Sequence, residues 1–369
     1  MQFVIAARRP GANRTELCRA FGISRKTGYK WLRRERAAHS VAALADQSRR
    51  PRRSPARTSA PVTARVLAVR DEYGWGGDKL AKVLDAEGLT LAPRTIDRII
   101  QREGRTRDDV APAPAVTRFE RRAPNELWQM DAKGHYPLPR GGYCHPLSVL
   151  DDHSRFAVGL VALARLATAP VRAALVACFE RYGVPTAMLM DHGVPWWAAS
   201  GAGLTTLSVF LLNQGIRLTY GRVRHPQTQG KVERFHRTLG ERLRWWGIPT
   251  TLVGFTRAFH EFRTEYNEIR PHEALAMQPP ASRFVPSPRA YVDPPARWVY
   301  PVGSDVRRVD ANGMVSHRGQ RLFVSAALAE QEVACCSIGC RIVVAYRHMY
   351  VRELHPRTGV SVPLLKLVS

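Results

Sequence analysis

Apolar and polar positions follow different spacings in successive parts of this chain. Two N-terminal stretches have apolar residues at helical spacing, whereas the middle of the chain alternates short apolar runs, typical of strands, with amphipathic helices. The C-terminal stretch alternates apolar and polar residues between Gly-containing turns, which is a strand pattern. Linkers rich in Pro, Arg or Ser lie at 48–61, 106–124 and 278–295. The pattern therefore predicts four domains, residues 1–47, 62–105, 120–285 and 296–369.

The first domain has the pattern of a helix-turn-helix. Thr15 is predicted to cap a helix through Phe21, Gly22 to supply the turn, and Ser24 to cap a second helix through Arg36. The predicted core is Leu17, Phe21, Ile23, Tyr29 and Leu32. A cationic second helix favours DNA binding, the alternative being a solvated basic helix on an ordinary helical pair. The residues predicted to contact DNA are Arg25, Lys26, Lys30, Arg33 and Arg34.

The second domain repeats this pattern with less charge. Three helices are predicted, at Val62–Tyr73, Gly76–Ala86 and Ala92–Glu103. Arginines recur at helical spacing on the third helix, at Arg94, Arg98 and Arg102. A DNA contact and a purely structural spacer both remain open for this domain.

Charge and composition narrow the class of protein. The net charge is +25, and residues 1–60 hold fifteen Lys or Arg against three acids, which favours a nucleic-acid partner. The apolar fraction of 45% excludes a disordered chain. No apolar run approaches the roughly 20 residues of a membrane span, and the six cysteines form no CxxC pair. We expect a cytoplasmic, nucleoid-associated protein that does not bind membranes.

Three acids stand where metal ligands are expected. Asp131 lies within the apolar strand at 126–136, Asp191 directly follows an apolar strand and precedes Gly193, and Glu233 borders the apolar stripe of a helix. A buried carboxylate requires a cationic partner, and carboxylates suit Mg²⁺ or Mn²⁺. Taken singly, each acid has another explanation, namely an ion pair with a lysine, a turn cap, or an i,i+4 pair between Glu233 and Arg237.

The order of these acids, on a β-β-β-α-β-α-β-α plan, resembles insertion-sequence transposases with a retroviral-integrase-type (DDE, RNase H-like) catalytic core. The motifs that carry the resemblance are LWQMD, LSVLDDHSRF, MDHG, HPQTQGKVERFHRTL and YNEIRPHEAL. The second domain is similar to the second helix-turn-helix of many such transposases. The resemblance implies a multidomain fold: all-α helix-turn-helix modules, an α/β RNase H-like core with a mixed five-stranded sheet, and a small SH3-like β-barrel that contacts DNA. The alternative for the C-terminal domain is a stabilising β domain.

The resemblance also implies a function. Asp131, Asp191 and Glu233 match the acidic triad, which holds two Mg²⁺ or Mn²⁺ ions. The expected reaction is DNA cleavage at transposon ends followed by strand transfer into target DNA, carried out by a homo-oligomer assembled on DNA. On the helix of Glu233, Lys231, Arg234 and Arg237 are expected to contact DNA. Three further residues are expected to tie the last helix to the core: Asn267, Arg270 and His272.

The chain departs from the family pattern in two places. His192 follows the second acid where Asn is usual, and WWAASGAGLT is an apparent insertion. Trp196 and Trp197 are candidates for stacking on bases or for packing in a flap, and Asp151 and Asp152 have turn chemistry. Two other functions remain open: a DNA-binding regulator with a relic core, and a ribonuclease H-type nuclease.

Overall fold

The computed structural model describes residues 1–38, 44–45, 57–106, 120–197, 203–221, 230–317 and 319–367. Parts of the predicted linkers, of HPQTQG and of WWAASGAGLT lie outside these ranges. Contacts divide the chain into two compact units, Met1–Ser59 and Ala60–Ser369, which are described separately.

The described residues of the first unit form three helices, α1 (Gln2–Ala7), α2 (Arg14–Ala20) and α3 (Arg25–Ala38). The side chain of Asn13 caps α2 by accepting from the backbone N–H of Thr15, so the predicted Thr15 cap is wrong by two residues. The predicted Ser24 cap is confirmed, because its Oγ accepts from the N–H of Thr27 at 3.1 Å.

Helix α1 was not predicted, and it changes the core of this unit. Its apolar side chains pack with Cys18, and the buried set is Phe3, Val4, Ala7 and Cys18. Phe21 and Tyr29, which the sequence places in the core, are exposed. The helix-turn-helix pair therefore buries its inner side against α1 rather than by itself.

The second unit begins with the three predicted helices, α4 (Ala60–Tyr73), α5 (Gly77–Ala86) and α6 (Pro93–Arg102). Apolar residues at helical spacing form their common core: Leu80, Leu84, Ile96, Ile99 and Ile100, joined by Val66, Val69 and Trp75.

The central sheet contains the five predicted strands in the order β4-β3-β1-β5-β6. They are β1 (Trp128–Ala132), β3 (Tyr143–Asp151), β4 (Ala157–Leu163), β5 (Ala187–Met190) and β6 (Arg217–Tyr220), and a two-residue strand, β2 (Tyr136–Pro137), pairs with β3. Strands β1, β3 and β4 are antiparallel, whereas β5 is parallel to both β1 and β6. The sheet is therefore mixed, as predicted.

Helices cover both faces of this sheet. Helices α7 (Thr168–Tyr182) and α8 (Thr206–Asn213) share one apolar cluster with it, and α9 (Gly230–Trp246) and α10 (Leu252–Thr264) share another. A π-helical turn, Glu265–Ile269, continues α10. Because side chains alternate along a strand, Trp128 and Met130 enter the first cluster, while Asp131 lies on the side of α9.

The α4–α6 helices are held against this core by long polar side chains. Arg242 of α9 donates to the carboxylate of Glu265 at 2.8 Å and to the Glu72 carbonyl at 2.8 Å, and the indole N–H of Trp245 donates to the Asp71 carbonyl at 3.1 Å. The position of these helices relative to α9 therefore depends on contacts with the last turn of α4.

The C-terminal region forms two antiparallel sheets. One has the order β13-β12-β11-β10-β7, and the other pairs β8 with β9. The strands are β7 (Asp305–Arg308), β8 (Met314–His317), β9 (Gln320–Phe323), β10 (Glu332–Ile338), β11 (Arg341–Tyr346), β12 (Met349–His355) and β13 (Val360–Leu367). In the described residues β13 and β7 are the two edges of the larger sheet, so the predicted closed barrel is not found.

The larger C-terminal sheet packs on the central domain through its β11–β12 turn. The hydroxyl of Tyr346 donates to the Asn213 side chain at 2.5 Å, Arg347 donates to the Asn213 carbonyl at 3.1 Å, and His348 Nε2 lies 3.2 Å from the Ile216 carbonyl. One apolar cluster runs through both regions, which favours the stabilising role that the sequence left open.

Candidate active site

Two of the three predicted acids lie at neighbouring parallel strands, one within a strand and the other just past the end of its neighbour. Trp128 of β1 aligns with Met188 of β5, and Gln129 with Leu189. The same offset places Asp131 beside Asp191, immediately past the end of β5. Paired strands run about 4.8 Å apart, so the sheet brings together two carboxylates that are 60 residues apart in the chain.

Glu233, the third acid, lies in the first turn of α9 and is exposed. Two residues earlier, Lys231 Nζ lies 2.5 Å from the Asp152 carboxylate, which is fully buried in the β3–β4 turn. Asp152 also accepts from the backbone N–H of Arg121 and from the side chain of Gln129 on β1, both at 2.7 Å. The start of α9 is thus anchored to the strand that carries Asp131.

A second contact fixes α9 one turn further on. Lys133, just past β1, donates from Nζ to the carbonyl of His236 at 2.7 Å. The Nε2 atom of His236 lies 2.9 Å from the hydroxyl oxygen of Ser148 on β3. Its Nδ1 atom lies 3.7 Å from the Asp131 carboxylate. Since Ser148 is directly opposite Asp131 in the β1–β3 register, β1, β3 and α9 meet at Asp131.

Burial and like charge act together on Asp131. Burial first, and then the charges of Asp191 and Glu233, raise its pKa to about 6, against a hydrogen bond from the Ala132 N–H that lowers it. Burial and the charge of Lys133 lower the pKa of His236 to about 3, so this ring is neutral at pH 7. In the described part of the chain, no Arg or Lys forms an ion pair with any of the three acids. The site is therefore anionic.

The loop that follows Asp191 is held by hydrogen bonds and aromatic contacts. Asp191 Oδ1 accepts from the Gly193 N–H at 2.9 Å and from the indole N–H of Trp196. Trp196 is 2% exposed, so it packs rather than stacks on bases. His192 is exposed, and its ring lies edge-on to Trp197 at 4.7 Å between centroids. Histidine in place of the usual Asn therefore contributes to an aromatic cluster with Trp197 and Tyr220.

The donor set at this site suits a hard divalent cation, but the acids do not form a closed ligand set. All three are carboxylates, and two of them raise the pKa of the third through their charge, which a bound cation would reverse. Among the described residues, no three His, Cys, Asp or Glu side chains come close enough together to hold a metal ion. The three acids are neighbours that repel one another, and Asp191 is engaged by Trp196.

The residues predicted to contact DNA differ in exposure. On α3, Arg25, Lys26, Lys30 and Arg33 are exposed, while Arg34 is half-buried with its guanidinium 5.1 Å from the Trp31 ring centroid. On α9, Arg234 and Arg237 are exposed. Lys231 is mostly buried against Asp152, and a DNA contact by this lysine requires that ion pair to break.

The three residues of YNEIRPHEAL that were predicted to be structural make different contacts. Asn267 accepts from the Ala157 N–H at 2.8 Å and donates to its carbonyl at 3.1 Å, which joins the π-helical turn to β4. Arg270 places its guanidinium 5.3 Å from the Trp75 ring centroid. His272 Nε2 lies 3.2 Å from the Tyr266 hydroxyl. Asn267 thus bonds the core itself, and Arg270 contacts the α4–α5 connection.

Reasoning from the sequence missed four residues that surround the acids. His236 lies three positions after Glu233, which a helix places on a neighbouring part of the same face. Lys133 lies two positions after Asp131 and shares its strand face. Spacing alone thus gave a signal for these two. Ser148 and the partnership of Asp152 with Lys231 had no local signal, because their partners lie 88 and 79 residues away.

None of the described helices is long and apolar enough to span a membrane.

Comparisons with known proteins agree with this architecture. Two family models described as integrase core domain match residues 121–226 and 214–280. A homeodomain-like domain matches 27–100, and a helix-turn-helix domain matches 1–52. An insertion element IS407 uncharacterized 31.7 kDa protein from Burkholderia multivorans is 28% identical over 179 residues, which are 48% of this chain and 61% of that protein. The chain thus covers less than two thirds of this relative's length.

Solved structures give a weaker likeness. The HTLV-2 integrase catalytic core in complex with magnesium is 15% identical, with a TM-score of 0.35 over 44% of this chain and 97% of that one. The BIV integrase catalytic core is 22% identical, with a TM-score of 0.33 over 43% and 92%. The chain therefore matches helix-turn-helix domains ahead of an integrase core domain, and over 179 residues it is similar to an insertion-element protein.

Proposed function

We propose that this chain is a DNA transposase of the DDE type, which cleaves transposon ends and transfers the freed strands into target DNA. The observation that supports the proposal is the arrangement of the acids: Asp131 on β1 lies beside Asp191 at the end of the parallel strand β5, and the charge of Glu233, on a helix anchored to β1, acts on Asp131. Such an uncompensated group of carboxylates has little structural value, because like charges at close range are destabilising. Holding cations is the role that explains it.

In this proposal the three acids hold two Mg²⁺ or Mn²⁺ ions. When bound there, the ions would activate the attacking oxygen and neutralise the charge that develops on the leaving oxygen. Carboxylate oxygens are the ligands that these ions prefer. Glu233 is exposed on the first turn of α9, so it can adjust its position while the two strand residues stay in place.

The surrounding residues keep the acids in position and in the right charge state. Lys231 and Lys133 attach α9 to the sheet at two points one turn apart. His236 is neutral and buried beside Asp131, so it does not compete as a fixed cation for the carboxylate. These contacts preserve the negative charge that draws a divalent ion into the site.

DNA is the proposed substrate and partner. Four exposed cationic residues of α3, in a segment matched by helix-turn-helix families, support recognition of the transposon ends. Arg234 and Arg237 are exposed on the helix of Glu233 and are proposed to hold phosphates beside the cleaved bond. Joining two DNA ends in one event requires at least two active sites, so we propose a homo-oligomer assembled on DNA in the cytoplasm, at the nucleoid.

The proposal is tested with the full chain, Mg²⁺, and duplexes carrying the DNA that flanks its own gene. We expect Asp131→Asn, Asp191→Asn and Glu233→Gln each to abolish nicking and strand transfer while leaving duplex binding within about twofold. Glu268→Gln is the matched control, because Glu268 is exposed on the π-helical turn and is not among the charges that act on Asp131. Full strand transfer by any of the three acid variants would contradict the assignment.

The same experiment separates the two other candidate functions. A DNA-binding regulator would bind the flanking DNA without cleaving it in either Mg²⁺ or Mn²⁺. A ribonuclease H-type nuclease would cut an RNA–DNA hybrid of the same sequence in preference to the duplex. Neither outcome is expected, because the chain combines the acid triad with helix-turn-helix domains.

A further inference from the structure

Among the described residues, the hydrogen bonds to the carboxylate of Asp191 are all made to one of its oxygens. Its Oδ1 accepts from the backbone N–H of Gly193 at 2.9 Å and from the indole N–H of Trp196. Two donors on Oδ1 fix the plane of the carboxylate, and Oδ2 has no donor among the described residues.

Trp196 is itself held rigidly. Its indole is buried in the main apolar cluster. Its carbonyl accepts from the Ser208 hydroxyl at 2.8 Å and from the Tyr220 hydroxyl at 3.1 Å. Ser208 lies in the first turn of α8, where it forms a capping box with Thr205, and Tyr220 ends β6. The indole N–H therefore comes from a side chain fixed to two elements of the core.

We propose that Trp196 is a positioning residue for Asp191. Its N–H holds Oδ1, so that Oδ2 is presented in one orientation as the ligand of a divalent cation. This inference rests on the proposed function, because it takes Asp191 to be a metal ligand. It goes beyond it by assigning a role to Trp196, for which the sequence left base stacking and packing in a flap open.

The physical reason is preorganisation. A carboxylate that rotates freely must be ordered when the ion binds, whereas one held by a fixed donor already has its geometry. Losing such an outer hydrogen bond to a ligand typically lowers metal affinity by about 10–100-fold. The indole N–H of Trp196 is the only side-chain donor to Asp191 among the described residues, so its removal should have an effect within this range.

The test is calorimetric titration of the DNA-free full chain with Mn²⁺ alone, comparing Trp196→Phe with Trp197→Phe. Both variants make the same chemical change in neighbouring residues, but the Trp197 indole N–H forms no bond to Asp191. We expect Trp196→Phe to raise the Mn²⁺ dissociation constant by about 10-fold or more and Trp197→Phe to leave it within about twofold. An unchanged or lower constant for Trp196→Phe overturns the proposal.

Two further variants make the result decisive. Asp131→Asn and Asp191→Asn must weaken Mn²⁺ binding if the acids hold the ion. If they do and Trp196→Phe does not, the positioning role fails while the proposed function stands. If neither acid variant changes binding, the metal site itself fails.

Stability is controlled by melting each variant without metal. If Trp196→Phe melts far below Trp197→Phe, the test moves to Tyr220→Phe, which removes one hydrogen bond to the Trp196 carbonyl and keeps the ring. This variant should raise the Mn²⁺ dissociation constant severalfold, and an unchanged constant overturns the proposal.

Discussion

The ion pair between Lys231 and Asp152 predicts a large stability effect at a residue that the sequence assigns to DNA contact. Asp152 is 0% exposed and the Lys231 side chain 17%, with 2.5 Å between Nζ and Oδ1. Replacing Lys231 by Met keeps most of the aliphatic stem but leaves a buried carboxylate without its cation. Breaking a buried pair in this way costs about 3–5 kcal/mol. Asp152 keeps its hydrogen bonds from Arg121 and Gln129. We therefore expect Lys231→Met to lower the free energy of unfolding by about 3 kcal/mol, the lower end of this range.

Urea denaturation of the full chain, followed by tryptophan fluorescence, measures this effect, because Trp128 and Trp196 are buried in the core. With an m-value of about 3 kcal/mol/M, the midpoint of the core transition should fall by about 1 M. The matched control is Arg234→Met on the same helix. Arg234 is about half exposed and 4.0 Å from Glu273, so its loss should cost no more than about 1 kcal/mol.

The double variant Lys231→Met with Asp152→Asn checks the cause. Removing both charges should recover part of the loss, because the cost comes from the unpaired buried carboxylate. The reasoning is refuted if Lys231→Met unfolds within about 0.5 kcal/mol of Arg234→Met. That result would restore Lys231 as a surface cation available to DNA.

Two further predictions concern stability. Gly77→Ala should lower the melting temperature, because a Cβ at Gly77 would lie 2.5 Å from the Pro93 carbonyl oxygen, although Ala normally favours a helix. The control is Gly76→Ala, whose Cβ would meet nothing within 4 Å and which should not lower the melting temperature. Equal melting temperatures for the two variants would contradict this packing. Burial first, and then the charge of Arg270, lower the pKa of His272 to about 3. Below pH 6.5 the unfolded chain therefore takes up a proton that the folded chain does not. The free energy of unfolding should then fall by up to about 1.4 kcal/mol per pH unit toward pH 3. Urea titrations at pH 7 to 4.5 should show a shallower loss of stability for His272→Gln than for the wild type. Identical slopes for the two proteins would show that His272 does not contribute.

Local pattern accounts for most of the secondary structure. The boundaries predicted for α4, α5 and α6 differ from the observed ones by two residues or fewer, since apolar spacing and Gly or Pro at the ends are properties of a short stretch of chain. Helix α1 was missed because its six residues are too few to show a helical period. The core of this unit includes residues of α1, whereas two predicted core residues, Phe21 and Tyr29, are exposed.

The order of the three acids along the chain could also be predicted from the sequence. A strand, a strand end and a helix each carry one acid, and a parallel β1–β5 pair aligns two of them. What the sequence did not indicate is how the acids are held. Lys231 was assigned to DNA and lies against Asp152, and Trp196, a candidate for base stacking, lies against Asp191.

By itself the sequence determined the periodicities, the sign of the charge and the positions of the three acids on a strand, at a strand end and on a helix. Each of these features depends only on a few neighbouring residues. The tertiary structure alone decided which buried polar group meets which donor, and that the α4–α6 helices, the core and the C-terminal sheets form one compact unit. The physical reason is that a buried charge or hydrogen-bonding group must find a partner once water is removed. That partner is chosen by how distant segments pack, as it is for Lys231 and Asp152, 79 residues apart.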